Sequence, residues 1–279
     1  MPELDPHFDR RQLLQVALPP QEEIERAFNL LTSYSKIPYD QIEPHVTAIR
    51  KKAFDVFPYV CIGRWRFLSL NIVNLPVYSE LVSRAKDGAV ILDCGCCFGQ
   101  ALRQLAWDGA PQENLIGTDL RQEFIDLGFD LFKDKETWKG KFIAGDLLAT
   151  AEQQHGLEQV VDGKVDIVHV ASVFHLFGWD DQVTIGVRLV KFFKKGVKGT
   201  VLGRQVGNPE EPLEPKEHER LGLGRYYHNE ASFQRLWDVV GEKTETKWAV
   251  EVGLDKVVGI PDGLFPQDLT VITFVVRQV

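Results

Sequence analysis

No stretch of this chain approaches the ~18 consecutive apolar residues that a membrane-crossing helix needs. Basic residues are outnumbered, 32 against 40 acidic, and form no stripe interleaved with aromatics; the net charge of −8 disfavours direct nucleic-acid binding. Cysteine is scarce. Of the four, Cys94, Cys96 and Cys97 crowd into one short segment and Cys61 stands apart. With no second Cys/His cluster at zinc spacing, reduced thiols lining a tight turn are expected rather than a metal site. There is no internal repeat, and no linker that would separate independent domains. The opening Met1-Pro-Glu-Leu-Asp5 resembles neither a signal nor a transit peptide, so a cytoplasmic protein is expected. A hydrophobic content of 44% supports a globular interior.

What is present is concentrated in Ala89-Val-Ile-Leu-Asp-Cys-Gly-Cys-Cys-Phe-Gly99. Four apolar residues run into an acid and a glycine-containing turn. A helical pattern follows at once, with Ala101, Leu102, Leu105 and Ala106. A buried parallel strand that delivers a ligand-binding loop to a sheet edge has this form. A dinucleotide loop would read Gly-x-Gly-x-x-Gly, to seat a pyrophosphate on bare backbone. The turn here reads Asp93-x-Gly95-x-Cys97-x-Gly99, and a short glycine loop alone also serves as a plain structural turn.

Two further strand-like runs end in acids, Leu115-Ile-Gly-Thr-Asp119 and Lys141-Phe-Ile-Ala-Gly-Asp146. Asp119 lies 20 residues past Gly99, where an acid at the tip of the second strand accepts ribose hydroxyls. Asp146 is placed to accept from an adenine amino group, with Leu147 beside the ring. Three strands that each end in a carboxylate predict a nucleoside-type cofactor; the competing reading makes them unrelated helix caps. The turn's spacing matches the Asp/Glu-x-Gly-x-Gly-x-Gly loop of S-adenosylmethionine enzymes, with Cys97 replacing the middle glycine. Asp93 suits a charge-assisted hydrogen bond to that cofactor's ammonium. Gly95 and Gly99 let the backbone come close.

From Ala89 onward, strands over 89–93, 115–119, 141–145, 165–170 and 199–203 alternate with helical patterns. This rhythm predicts an α/β fold, a Rossmann-like and mostly parallel sheet with helices on both faces. A helix over 181–193 carries Val183, Val187 and Val190 on one face, and 208–223 reads as a Pro/Glu-rich loop. Asn229 caps a helix over 230–240 that ends at Gly241. Two closing strands, 246–252 and 269–276, have no helix of length between them, so one runs antiparallel. Residues 1–85 read as helical, with helices over 21–34, 44–57 and 76–88. They form a helical cap over the active site or a packing appendage away from it, and 86–279 forms one cofactor-binding unit.

These residues resemble a class I S-adenosylmethionine-dependent methyltransferase, and more narrowly the fungal small-molecule methyltransferases of meroterpenoid and polyketide clusters. The resemblance runs over roughly 55–205, through Leu92–Gln100, Asp108–Leu120, Phe124–Phe132, Gly145–Leu147 and His169–Phe177. It implies S-adenosyl-L-methionine as cofactor and a seven-stranded sheet whose last strand is antiparallel. It implies cofactor contacts from Asp93, Gly95, Phe98 and Gly99, from Asp119 with Leu120, and from Asp146 with Leu147. Cys97 departs from the family's glycine and would narrow the pocket or shift the loop. Members it resembles most often methylate oxygen, commonly a carboxyl group, which implies a hydrophobic small-molecule carboxylic acid as substrate. No nucleic-acid or membrane partner is expected, and a homodimer is left open.

A carboxylate acceptor needs no base at neutral pH, whereas a phenol does. The fourth strand leads into Ala171-Ser-Val-Phe-His175. His175 is either a base for a hydroxyl or a neutral histidine bonded in a helix start. Ser172 lines the cofactor by backbone or hydroxyl. Arg204 forks a substrate carboxylate or joins an ion pair elsewhere. Tyr59, Trp65 and Phe67 suit a hydrophobic acceptor. No Asp/Asn-Pro-Pro-Tyr/Phe follows the fourth strand, which argues against amino methylation of the DNA or protein-glutamine type. Nor does that strand bring the acid that holds a divalent ion in catechol-type enzymes, so metal-independent transfer is expected. No tyrosine has a lysine four residues on, which argues against a dehydrogenase. The alternatives are a phenolic O-methyltransferase using His175, or a cofactor-bound isomerase or binding protein.

Overall fold

The structure, a computed structural model, describes residues 9–150, 156–210, 212–220, 224–256 and 270–279. The Met1–Asp5 stretch and parts of the 208–223 loop lie outside them. Seven strands are formed: β1 (Ile91–Cys94), β2 (Leu115–Asp119), β3 (Lys141–Ala144), β4 (Ile167–Val170), β5 (Thr200–Gly207), β6 (Trp248–Lys256) and β7 (Thr270–Gln278). They lie in the order β3-β2-β1-β4-β5-β7-β6. β1–β4, β2–β3 and β4–β5 pair in parallel, and β7 is antiparallel to both β5 and β6. The expected Rossmann-like sheet with an antiparallel last strand is what the chain forms.

The chain divides into two compact units, one with Val90–Gly95 and Gly145–Val279, the other with Asp9–Ala89 and Cys96–Ala144. In the first, β1 and β4 are buried at every residue, because helices cover a parallel sheet on both faces. Strand order reverses between β1 and β4, and the carboxyl ends of two such strands open a crevice. The core beside them is aromatic: Phe174 meets Phe233, Trp237 and Phe274 at ring distances of 6.0–6.5 Å. Helices Trp179–Phe192 and Glu230–Thr244 pack through Gly186 and Val240.

The second unit joins the N-terminal helices Gln21–Ser33 and Tyr39–Val56 to helix Gln122–Phe132. Buried Arg50 donates to the carbonyls of Leu13, Leu14, Val16 and Gly63 and lies 4.0 Å above the Trp65 ring. Arg103, 1% exposed, makes a bidentate pair with Asp134, with Nε and Nη2 each at 2.8 Å. Tyr34 donates to the same carboxylate at 2.7 Å. Arg103 Nη1 donates to the Phe98 carbonyl at 2.8 Å, which ties this cluster to the turn after β1.

Several boundaries differ from the sequence reading. The helix expected over 44–57 starts at Tyr39, because Ile42, Val46, Ile49 and Ala53 continue one apolar face across Pro44. On helix Trp179–Phe192 the buried face runs through Gln182, Ile185, Gly186 and Leu189, with Val187 and Val190 only half-buried. The helix expected to stop at Gly241 runs to Thr244 and ends on left-handed Glu245. Gly241 instead admits the Thr246 carbonyl, 2.6 Å from where a Cβ would stand. β5 reaches Gly207 because β7 pairs with it along its whole length. A short helix, Pro215–Arg220, forms within the expected loop.

Asp134→Ala would strand the Arg103 guanidinium among aromatic rings, at a cost of about 3–5 kcal/mol. Tyr34→Phe removes one hydrogen bond and costs about 1 kcal/mol. Urea unfolding of both variants measures the difference; small and equal losses would mean that the pair contributes no more than a surface bridge.

Candidate active site

In the second unit the turn after β1 is built from backbone. Cys96 N donates to the Thr118 carbonyl at 3.0 Å, and Gly99 N to the Cys96 carbonyl at 2.7 Å. Cys97 N donates to Asp119 Oδ2 at 2.8 Å. φ is 69° at Gly95, 51° at Cys97 and 64° at Gly99, so every second residue sits in the left-handed region. This is the physical reason for the loop's glycine spacing. Cys97 takes the middle position with a side chain, at a cost of roughly 1 kcal/mol. Phe98 is fully buried, edge-on to Phe67 at 5.1 Å and to Phe124 at 6.1 Å.

Asp119 ends β2 half-buried, and its Oδ1 accepts from Arg121 N at 3.1 Å. Leu120 beside it is 58% exposed. Tyr59 is half-buried, and its hydroxyl pKa is raised, first by burial and then by the charge of Asp119. Trp65 and Phe67 are buried; the Trp65 indole donates to the Val16 carbonyl at 3.0 Å. The N-terminal aromatic stretch and the cofactor-type turn therefore share one packed unit. A cavity of about 510 Å³ in this unit is lined by Glu22, Glu23, Arg26, Gln104, Trp107 and Asp108 among others, but by none of the strand-tip residues.

In the first unit, Asp93 and His169 are register partners on β1 and β4. The His169 Nδ1–H donates to Asp93 Oδ1 at 2.7 Å, with both side chains buried. Gly95 is exposed and bare for a packing reason as well: a Cβ there would stand 2.5 Å from Val173 Cγ2. Past β4, Ser172 is exposed at φ 59°, and its N–H donates to the Arg204 carbonyl at 2.7 Å. That bond fixes the turn after β4 to β5. Asp146 is exposed, with Oδ1 accepting from Leu148 N at 2.9 Å, and Leu147 is half-buried.

His175 lies in the 3-10 turn Phe174–Leu176 and is 9% exposed. Its pKa is pushed down to about 3, first by burial and then by the charges of Arg225 and Arg204. It is neutral at physiological pH, and its Nδ1 is buried without a hydrogen-bond partner among the described residues. Arg225 and Tyr227 belong to a segment joined to this turn by the Tyr226 N–H, which donates to the Phe177 carbonyl at 3.0 Å. Sequence reasoning missed His169, Arg225 and Tyr227. The first needed the β1–β4 register, and the other two follow a polar stretch with no periodic signal.

Residues 17–68 match the meroterpenoid methyltransferase N-terminal domain, and residues 91–196 match a methyltransferase domain family. The chain is 42% identical to O-methyltransferase atr3 of Stereocaulon alpinum over 82% of its own length and 66% of that protein's, just under two thirds. It is 38% identical to methyltransferase adrK of Penicillium roqueforti, over 88% of this chain and 85% of that one. A phosphoethanolamine N-methyltransferase from Haemonchus contortus, solved with S-adenosylhomocysteine, shares the fold: TM-score 0.51, 15% identity, covering 82% of this chain and 59% of that one. The chain belongs to this family of fungal S-adenosylmethionine-dependent methyltransferases. No helix among the described residues is long and apolar enough to cross a membrane.

Two outcomes follow from this geometry. Cys97→Gly should relieve the left-handed strain and raise the urea midpoint slightly, by up to about 1 kcal/mol less glycine's unfolded-state entropy; a clear loss of stability would show that the thiol's packing outweighs the strain. His175 and His228 both have a folded pKa of about 3 against an ordinary 6.5. Between those values the unfolded chain binds protons that the folded chain refuses. Stability present above pH 6.5 is therefore lost as pH falls towards 3, by up to about 1.4 kcal/mol per pH unit and histidine. His175→Gln should remove about half of the slope due to the two histidines, and an unchanged slope would contradict its burial as the neutral form.

Proposed function

We propose that this enzyme transfers a methyl group from S-adenosylmethionine to the carboxylate oxygen of a hydrophobic small-molecule acid, without a metal ion. The observation that carries this reading is His175, neutral and with its pKa pushed down to about 3. So weak a base is mismatched to a phenol, whose pKa lies at about 10. A carboxylate needs no base, and its charge suits a place where Arg204 and Arg225 both act. The first relative's name, O-methyltransferase, supports oxygen as the receiving atom. Ala171 and Ser172, which follow β4, bring no carboxylate for a divalent ion.

Bound S-adenosylmethionine supplies an activated methyl carbon: the acceptor oxygen forms a C–O bond as the C–S bond breaks, its electron pair returns to sulfur, and a methyl ester and S-adenosylhomocysteine result. The chain's residues fit that cofactor. Asp93, with Oδ1 taken by His169, offers its other oxygen to the ammonium. Asp119, whose carboxylate the Cys97 and Arg121 N–H groups orient, accepts from the ribose hydroxyls, with Leu120 beside it. Asp146 accepts from the adenine amino group, with Leu147 against the ring. Gly95, Gly99 and Ser172 line the cofactor through backbone, with the fully buried Phe98 ring supporting the turn from behind. Tyr59 meets the acceptor, backed by the buried Trp65 and Phe67, and Arg204 attracts its carboxylate. Residues 1–85 act as the cap and 86–279 as the cofactor-binding part.

Labelled S-adenosylmethionine incubated with panels of apolar acids and phenols tests this. Label should enter a base-labile methyl ester, in the presence of EDTA, and His175→Gln should keep the rate within about tenfold. Removing a general base would cost about 100- to 10,000-fold. Label in a base-stable ether, with a loss of that size, would establish the phenol reading instead.

A further inference from the structure

In the first unit, three polar groups outside the cofactor contacts lie on segments that backbone hydrogen bonds join. The Arg225 Nε and the His175 Nδ1 are buried and lack a hydrogen-bond partner among the described residues, and the buried Tyr227 hydroxyl has its own hydrogen still to give. Two backbone bonds bring their segments to one place. Tyr226 N donates to the Phe177 carbonyl at 3.0 Å, and Ser172 N to the Arg204 carbonyl at 2.7 Å. Gly224 passes so close that its carbonyl oxygen would stand 3.0 Å from a Cβ on Gly178.

Side chains along this segment alternate. Tyr226 and His228 are fully buried, with rings 5.0 Å apart, and they pack on Trp179 at 5.2 and 5.9 Å. The intervening Tyr227 is only half-buried, as is Arg225, and the Arg225 guanidinium bears on the Tyr227 hydroxyl through its charge and as a hydrogen-bond donor, which leaves the phenol O–H free to donate onward. Among the described residues, the charges that bear on His175 are the two guanidiniums of Arg225 and Arg204, and no carboxylate is one of them. A guanidinium N–H and a phenol O–H are both able to donate, and a neutral imidazole still carries one N–H. Buried donors left unmade are costly, so such a cluster calls for an acceptor, and a nearby guanidinium calls for a negative one.

We propose that Arg225, the Tyr227 hydroxyl and His175 form the subsite that anchors the acceptor's carboxylate, with Arg225 the residue that sets the preference for an anionic acceptor. Resting on the carboxylic-acid reading above, this adds the residues that impose it. The fork of Arg225 grips and orients the carboxylate. The cofactor contacts already assigned play no part.

Benzoate and its uncharged analogue benzamide serve as probes, titrated by calorimetry into the full chain saturated with S-adenosylhomocysteine. Benzoate should bind saturably and at least tenfold more tightly than benzamide. Arg225→Gln should weaken benzoate at least tenfold, as for a lost charge-assisted hydrogen bond, and leave benzamide unchanged. Arg225→Lys should recover part of the loss, because an ammonium keeps the charge without the fork. Unchanged affinity for S-adenosylhomocysteine verifies that each variant is folded. Should Arg225→Gln not fold, Tyr227→Phe, which deletes one hydroxyl, should weaken benzoate selectively. Equal benzoate binding by wild type and folded Arg225→Gln, equal binding of the two probes, or no saturation by benzoate overturns the proposal. The two readings fail separately. Label transferred only to phenols, with benzoate still bound through Arg225, removes the acid substrate and leaves the subsite. Acids esterified by Arg225→Gln with an unchanged KM remove the subsite and leave the acid substrate.

Discussion

The Arg103 guanidinium holds the second unit together at its least replaceable point. It sits out of water among Phe129, Phe132, Trp138 and Phe142, with its carbon 4.7–5.2 Å from their ring centres. A cation so placed is tolerable only when its donors are met. Asp134 takes two of them and the Phe98 carbonyl a third. The last bond matters most. It pins the carbonyl between left-handed Cys97 and Gly99, in a turn whose dihedrals most residues resist. Asp119 pins the same turn from the other side through the Cys97 N–H. Loop shape is thus imposed by side chains outside the loop, which is how one of its three left-handed positions tolerates a residue with a Cβ.

Electrostatics within the first unit divide into an acidic and a basic part. Asp93 and Asp146 stand at strand ends with acceptor capacity to spare, suited to a cationic cofactor. Past β4 and β5 the sign changes, with Arg204 and Arg225 around a histidine that burial and those two charges keep neutral at physiological pH. A cationic donor molecule and an anionic acceptor would each find its complement. His169 adds a second constraint, because its hydrogen bond directs one Asp93 oxygen and leaves the other to a ligand.

Much of this could be read along the chain, and the parts that could not share a cause. β1, β2 and β3 each combine an apolar run with a strand-end acid, local signals that survive into the structure at Asp93 and Asp119 and just past β3 at Asp146. Glycine spacing was legible because left-handed backbone is a local demand. Pairing was not. The extra length of β5 over 204–207 depends on its pairing with β7, more than 60 residues away. Arg103 and Arg50 did not stand out in the sequence, since nothing nearby in the chain names Asp134 or four backbone carbonyls as their partners. Arg225 was invisible for the same reason. Its setting is made by the turn at Phe177, not by its neighbours in the chain.

The bond from Tyr34 to Asp134 carries an implication for how such enzymes diversify. Exchanging N-terminal helices between relatives would be an obvious route to new acceptors. Here the donor helix brings one hydroxyl of a buried charge cluster, and the recipient supplies the rest. A graft lacking that hydroxyl would disturb the carboxylate steadying Arg103, and through it the left-handed turn after β1. Exchange of the two segments is therefore constrained to pairs that keep a hydroxyl donor opposite this carboxylate.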